Sequence, residues 1–496
     1  MLNLFRSSPA RGGQPPPPAS KEEIMRALEQ FGHTGNRSRP HSNVGSRRSS
    51  ASSQGSQGRV EDIMKVSISS SISQSYGQMF DSDLEDFDST SVSHSYSGEW
   101  ERLFCRDDYL NKLRRYAVKG MLRSTRFRSV AWKLYLGVLP ENRMLWLEET
   151  RRWRKRYEDL KTHLIINPRK NIDKADLSIN NPLSQETESP WNQFFLDNEL
   201  RLTIKQDVIR TFPEIQFFQL KEWRNILLCV LFCYSKQISK FGYKQGMHEL
   251  LAPLIFVLHC DHQAFQHACE LESVQEVTRE ILDPKYVEHD AYAMFCQIME
   301  TVEPWYVSKE LSPTVKNNNI LRSQPFAKLQ DLNPSNVIIT KLTRIQDYLL
   351  KRFDPDLHLF LEKMDIPPQI YGIRWVRLLF GREFPMQDLL VLWDAIFADS
   401  ISFDLVDYVF LAMLLYIRDH MLTSDYATCL TTLMKFPPVG DINYLIQKAF
   451  WLREPNLPKP PDYFYQKPPE GSSYRGRPGT RGKRSICVLN FLVLAT

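Results

Sequence analysis

Between residues 98 and 453 apolar side chains return every three or four positions, with no convincing run that alternates every second residue. A period near 3.6 lines one face of a helix, whereas a half-buried strand needs a period of two. "DDYLNKLRRYAVKG" and "RFRSVAWKLYLG" carry this pattern and stop on glycine, a usual helix-ending residue. "MLWLEETRRWRKRYEDLKTHL", "WNQFFLDNELRLTIKQDVIR" and "KEWRNILLCVLFCYSKQ" repeat it, and so do later stretches as far as "INYLIQKAFWLR". The expectation is an all-α domain over 98–453. It is too long for one bundle and is therefore expected to form two packed lobes.

The flanks differ in composition. Residues 1–97 are rich in Ser, Gly, Pro and Gln, as in "PPPPAS" and "SNVGSRRSSASSQGSQGR". Such a segment buries too little apolar surface to offset its ordering entropy, so a disordered arm is expected. Within it, "KEEIMRALEQFG" has the makings of a transient helix. Residues 454–496 form a Pro/Gly-rich tail that turns basic. Two polar insertions, 166–190 and 308–336, interrupt the helical pattern, and loops of that length are uncommon unless functional or disordered.

A net charge of +5 on 496 residues is small, so composition does not call for nucleic acid. The eight cysteines are scattered, mostly through apolar helical stretches, which reads as reduced, buried thiols in a cytosolic protein. The N-terminus lacks an apolar core long enough for a signal peptide. No apolar stretch reaches the roughly 20 residues of a spanning helix. A soluble chain is expected. It has no GxxxxGK[ST], HExxH or GxSxG motif, so it does not hold a nucleotide through a P-loop. "HCDHQAFQHACE" (259–270) gathers histidines and cysteines, but at spacings foreign to zinc sites, and no metal is expected there. Asp261 is instead expected to cap a helix starting at His262.

Two helix ends carry exposed polar side chains. In "IKQDVIRTFPE" (204–214), Pro213 cannot donate a backbone hydrogen bond and pushes Phe212 from helical angles. The helix should stop near Arg210. In "KFGYKQGMHELLAP" (240–253), Gly242 and Gly246 bracket Tyr243 and Gln245 in a loop before a helix starting near Met247. The intervening helix is about 27 Å long at roughly 1.5 Å per residue. Residues 211–220, if extended, reach about 33 Å at roughly 3.3 Å each. That segment can run back along the helix and bring Arg210 to Gln245. An exposed Arg beside an exposed Gln suits GTP hydrolysis, which needs a cation against phosphoryl charge and an amide to orient water. The plain alternative is a surface pair of Arg210 with Asp207, worth a few tenths of a kcal/mol, and a Gln245 that merely dresses a turn.

Four motifs in order then resemble the TBC-domain activators of Rab GTPases, over about residues 98–453. Ile204, Asp207 and Arg210 match the Ile-x-x-Asp-x-x-Arg arginine-finger motif, with Thr211 and Pro213 after it. Tyr243 and Gln245 match the Tyr-x-Gln glutamine-finger motif. "LRSTRFRSVAWKLYLG" (122–137) matches an Arg-rich leading helix ending at Trp132 and Gly137. "IRWVRLLFGREFPMQDLLVLWDAIFA" (373–398) matches a closing block with Phe-Pro and Trp-Asp. The resemblance implies a two-lobed helical GTPase-activating domain that is a regulator and not itself an enzyme. It makes Arg210 and Gln245 the catalytic fingers, with Asp207 orienting the arginine and Tyr243 placing the loop. GTP and magnesium would belong to the partner, a Rab expected to be late-endosomal, and the chain needs no cofactor of its own.

Likeness to a retromer-associated branch of that family implies two adaptor motifs and a peripheral place on endosomal or autophagosomal membranes. Pro182 and Leu183 in "INNPLSQ" present an apolar tip that would fill a pocket of a retromer subunit; alternatively Leu183 folds back on its own domain. Trp100 and Leu103 in "EWERL" resemble a Trp-x-x-Leu ligand that adds a strand to a ubiquitin-like autophagy modifier. Trp100 at the domain edge can equally pack on the first helix. The contrasting reading of the whole chain is a non-catalytic scaffold that binds retromer or a Rab. The last residues, "SICVLNFLVLAT", read as an alternative or truncated end.

Overall fold

Every apolar-periodic stretch named above is helical in the computed structural model, which describes residues 95–164, 189–238, 241–307, 336–461 and 465. No β-strand occurs among them. The longer helices are α1 Tyr96–Phe104, α2 Tyr109–Val118, α3 Arg128–Tyr135, α4 Trp146–Leu164, α5 Pro190–Ile209 and α6 Lys221–Gln237. They continue with α7 Met247–Leu271, α8 Glu276–Ile281, α9 Val287–Tyr306, α10 Val337–Thr343, α11 Pro355–Lys363 and α12 Gln369–Arg377. Last come α13 Met386–Asp399, α14 Leu405–Tyr416, α15 Tyr426–Met434 and α16 Ile442–Arg453.

Side-chain caps start several of them. Ser95 accepts from the Gly98 amide, Ser189 from Trp191, and Asn336 from Ile338. Such caps satisfy amides that have no partner within their own helix. Gly120 ends the turn after α2 at φ +69°, where a side chain would strike Asn443. Helix α1 begins at Tyr96, and past 453 Leu457 is buried and the Tyr465 amide donates to the Tyr416 carbonyl at 2.9 Å.

One group of helices packs α4, α6 and α7 around α9; a second packs α13 and α14 on α16. The buried apolar residues of both groups join in one continuous core. Helix α3 ties the groups together, touching α7 on one side and α13 on the other. Its two pins come from distant sequence. Asp394 accepts from Trp132 Nε1 at 2.8 Å and from Arg128 Nη2 at 2.9 Å, and Asp261 accepts from the Ser129 amide at 2.6 Å. The leading-helix and Trp-Asp motifs thus meet as structure.

Three expectations change. Asp261 caps no helix of its own, because residues 259–270 lie inside the single helix α7. Its carboxylate serves α3 instead. Cys105 and Cys269 are exposed, so not all thiols are buried. Residues 211–220 do not run back extended; they hold a short 3₁₀ turn, Gln216–Gln219. Helices α5 and α6 pack as an antiparallel pair, with Lys236 bonded to Asp197 at one end and Arg224 Nη2 reaching the Ile209 carbonyl at the other. The return toward Arg210 is made after α6, from which Tyr243 reaches α5.

Candidate functional site

Helix α5 ends at Ile209, and Arg210 is its C-cap. Phe212 takes φ +39° on the way into Pro213, a left-handed setting uncommon for a bulky residue. Buried Thr211 closes the turn, donating its hydroxyl to the Asp207 carbonyl at 3.1 Å. The turn is stiff, and it leaves the Arg210 side chain about half exposed, at 54%.

Beneath it, Asp207 is buried and uses both carboxylate oxygens. Oδ1 accepts from Arg210 Nη2 at 2.5 Å, and Oδ2 accepts from the Tyr243 hydroxyl at 2.7 Å. The surface pair Arg210–Asp207 therefore exists, but its acid is shared with the second motif. Burial first, then the bond to Asp207, raises the Tyr243 pKa, so the phenol keeps its proton and donates it.

Gln245 sits two residues beyond Tyr243, exposed in the turn that precedes α7. Gly246 follows at φ +105°, where a Cβ would meet Leu378 Cδ2 at 2.8 Å and Tyr306 Oη at 3.2 Å. Only glycine fits there without displacing a neighbour. Arg210 thus bonds to Asp207, Gln245 lies two residues from the tyrosine bonded to the same acid, and both residues are exposed.

Sequence reasoning missed what lies behind Tyr243. Buried His248 places Nδ1 at 3.1 Å from the tyrosine hydroxyl and Nε2 at 3.3 Å from Glu249 Oε1. Arg382, from the "GREF" turn between α12 and α13, closes on Glu249 with its Nε at 2.8 Å from Oε2. Burial works against the Glu249 carboxylate, yet bonds from His248 and Arg382 hold its pKa down to about 2. A signal was present in the polar pair His248–Glu249, which interrupts the otherwise apolar first half of the helix.

The Trp-x-x-Leu expectation fails in this structure. Trp100 and Leu103 lie in helix α1, and both side chains are buried. Trp100 packs against Phe104, Phe127 and Trp146, with ring centroids 4.7, 5.3 and 5.9 Å away. A ligand that adds a strand needs extended backbone and free side chains, and neither is offered here. Pro182 and Leu183 lie outside the described residues, as does "KEEIMRALEQFG".

Comparison with known proteins agrees with the fold. The sequence profile of the Rab-GTPase-TBC domain matches residues 125–422. The chain is 52% identical over 393 residues to TBC1 domain family member 5 of Homo sapiens, covering 79% of this chain and 49% of that protein. The mouse protein of that name is 52% identical over 391 residues, with 79% and 48% covered. TBC1 domain family member 5 homolog B of Dictyostelium discoideum is 30% identical over 434 residues, with 70% and 42% covered. This chain therefore spans about half the length, or less, of these relatives. The crystal structure of the Ypt/Rab-GAP domain of Gyp1p aligns with a TM-score of 0.53 at 20% identity, covering 72% of this chain and 98% of that one. Among the described residues, no helix is long and apolar enough to cross a membrane.

Proposed function

This chain belongs to the Rab-GTPase-TBC family, and from that premise we propose that it accelerates GTP hydrolysis by a Rab GTPase, lending Arg210 and Gln245 in trans. The observation that carries the reading is the shared Asp207 carboxylate, which bonds Arg210 through one oxygen and Tyr243 through the other. A buried acid spanning two motifs fixes the finger and the glutamine loop relative to one another. Arg210 is held by a single nitrogen, leaving much of its planar fork open toward solvent. In the partner's site that fork meets charge developing on the transferred phosphoryl group, while the Gln245 amide orients the attacking water in place of the Rab's own glutamine. Nucleotide and magnesium come with the partner. Exposed Ile209 beside the finger supplies apolar surface for the same contact.

The finer assignments rest on the sequence resemblance. A late-endosomal Rab is the expected substrate, and Leu183 is the expected anchor for a retromer subunit, which would place the protein peripherally on endosomes. A direct autophagy-modifier ligand at Trp100 loses its support from the fold. The test of the main reading is a panel of GTP-loaded Rabs, each assayed for phosphate release with and without the full chain. Stimulation of at least one member is expected; stimulation of none rejects the catalytic reading in favour of a scaffold. For the anchor, Leu183→Glu is expected to abolish retromer capture with Rab stimulation retained, because a charge at a pocket-filling tip is desolvated without a partner. Unchanged capture by that variant rejects the anchor.

A further inference from the structure

The bonds behind Tyr243 form a chain that no motif announced. Asp207 is a carboxylate and only accepts, so the single tyrosine proton points to it, and the tyrosine oxygen is left to accept from His248. His248 Nδ1 stands 3.1 Å from that oxygen, and its other nitrogen faces Glu249. Glu249 is buried and meets Arg382 through both carboxylate oxygens. Arg382 stands just past two residues in left-handed backbone, Leu379 at φ +45° and Phe380 at φ +63°. Such settings persist only where the surroundings enforce them. The Phe380 amide is held by the Trp375 carbonyl at 2.8 Å. From that turn, Leu378 also presses on Gly246, one residue after Gln245.

We propose that His248, Glu249 and Arg382 are positioning residues for the glutamine loop, coupling the second helical group to Gln245 through Tyr243. The inference rests on the finger reading for its kinetic consequence but not for its structural one. Asp207, His248 and Glu249 along the chain are buried, Tyr243 is partly buried, and the two arginine ends are about half exposed. Cutting the middle frees the loop without touching the partner. Loss of Arg382 leaves Glu249 as a buried acid facing His248 alone, and that slack passes to Tyr243. A misplacement near 1 Å costs about 10²-fold in rate while leaving binding intact.

The experiment has two arms on the full chain. In the first, amide hydrogen exchange is followed at Met247 and Glu249, whose N–H groups bond the Lys244 and Gly246 carbonyls. His248→Leu and Arg382→Met are each expected to accelerate exchange there about tenfold, measured well below the thermal midpoint that loss of a partner to buried Glu249 lowers. Arg382 is half exposed, so its variant reports even if His248→Leu fails to fold. In the second arm, the Rab most stimulated by the parent chain is titrated at saturating GTP. Both variants are expected to lower kcat about 10²-fold with KM within twofold. His248→Asn, which keeps an N–H toward Tyr243, is expected to recover part of kcat. Unchanged exchange in Arg382→Met overturns the proposal whatever the Rab assay shows, as does full kcat in that variant. Absence of any Rab stimulation by the parent chain rejects the function reading instead, and the exchange arm still decides this one.

Discussion

Two networks of buried charge organise this domain, and they end differently. Around α3 the network is closed at its centre, and an outer arm runs from Arg154 through partly exposed Glu280 to Arg151. Asp290 accepts from Lys133 at 2.8 Å and from Arg154 at 3.0 Å, and all three side chains are buried. At the end of α5 the network is open. Asp207 and Glu249 are equally buried, but the chain of bonds terminates in Arg210 and Arg382, each about half exposed. The closed network uses its charges up on itself and serves the fold. The open one keeps a buried acid to aim an exposed cation, and that leaves the cation available to a partner. Buried charge alone does not mark a site; its exposed end does.

The sharpest way to break this contrast is Arg210→Ala. An arginine finger supplied in trans is worth about 10³ to 10⁵ in rate, so nearly all stimulated hydrolysis should vanish. Stability should move far less than rate, by about 1 kcal/mol, because the arginine is half exposed and Asp207 keeps its bond from Tyr243. Arg210→Lys should rescue little, since a point charge lacks the planar fork. Stopped-flow phosphate release and a thermal melt read the two halves. A large loss of stability with rate retained would reverse the assignment of the two networks.

The closed network should answer in the opposite sense. Asp290→Ala strands Lys133 and Arg154 without their shared acid. Breaking a buried pair from one side costs about 3–5 kcal/mol. Burial opposes the Asp290 carboxylate, but Lys133 and Arg154 hold its pKa well below the usual range, which shows how fully the ion is used. Urea unfolding should show the lower midpoint, while stimulation per folded molecule stays within about twofold of the parent.

Gln245→Ala is expected to be milder than loss of the arginine. Removing one donor that acts only in the transition state costs about 10²- to 10³-fold. Substituting the Rab's own glutamine should cost less than that. If Gln245→Ala stimulates fully and the Rab's glutamine proves indispensable, Gln245 is a turn residue and the open network aims one finger only.

The exposed end of the open network was legible in the sequence, the closed network was not, and the limits have physical causes. Pro213 after Phe212 announced the end of α5, and Gly242 and Gly246 announced the loop, because both act through local backbone rules. The approach of the Gln245 loop to Arg210 was permitted by chain reach but assigned to the wrong segment. Which flank of α6 carries the return depends on how α5 packs on it, and periodicity does not encode that. Trp100 and Leu103 illustrate the same limit. Three-residue spacing suits an extended ligand and a helix face alike, and the aromatic cluster around Trp146 decides between them. Arg382 was invisible as a partner of Glu249 because the two are 133 residues apart. The Asp261 carboxylate went astray for the same reason: its amide partner belongs to α3.

Asp261 offers the finest test of what a closed network does. Burial raises its pKa to about 7, with Ser129, Arg128 and Lys133 pulling only partly the other way. An unfolded aspartate titrates near 3.9. The folded state therefore binds the extra proton between those values, and its contribution to stability is complete below about pH 4 and lost as pH rises through 7. The slope from one such group is at most about 1.4 kcal/mol per pH unit. Asp261→Asn keeps an oxygen to accept from the Ser129 amide but does not titrate. Relative to the parent, the variant should gain stability from pH 5 to about pH 7 and level off by pH 8, with no change in Rab stimulation across that range. Asp394, raised to about 6 chiefly by its own burial, remains in both proteins and cancels in the difference. Urea midpoints of the two proteins at four pH values suffice. A difference that stays flat with pH would mean the acid is ionised and satisfied throughout, and the closed network would then hold one more full charge than its geometry provides for.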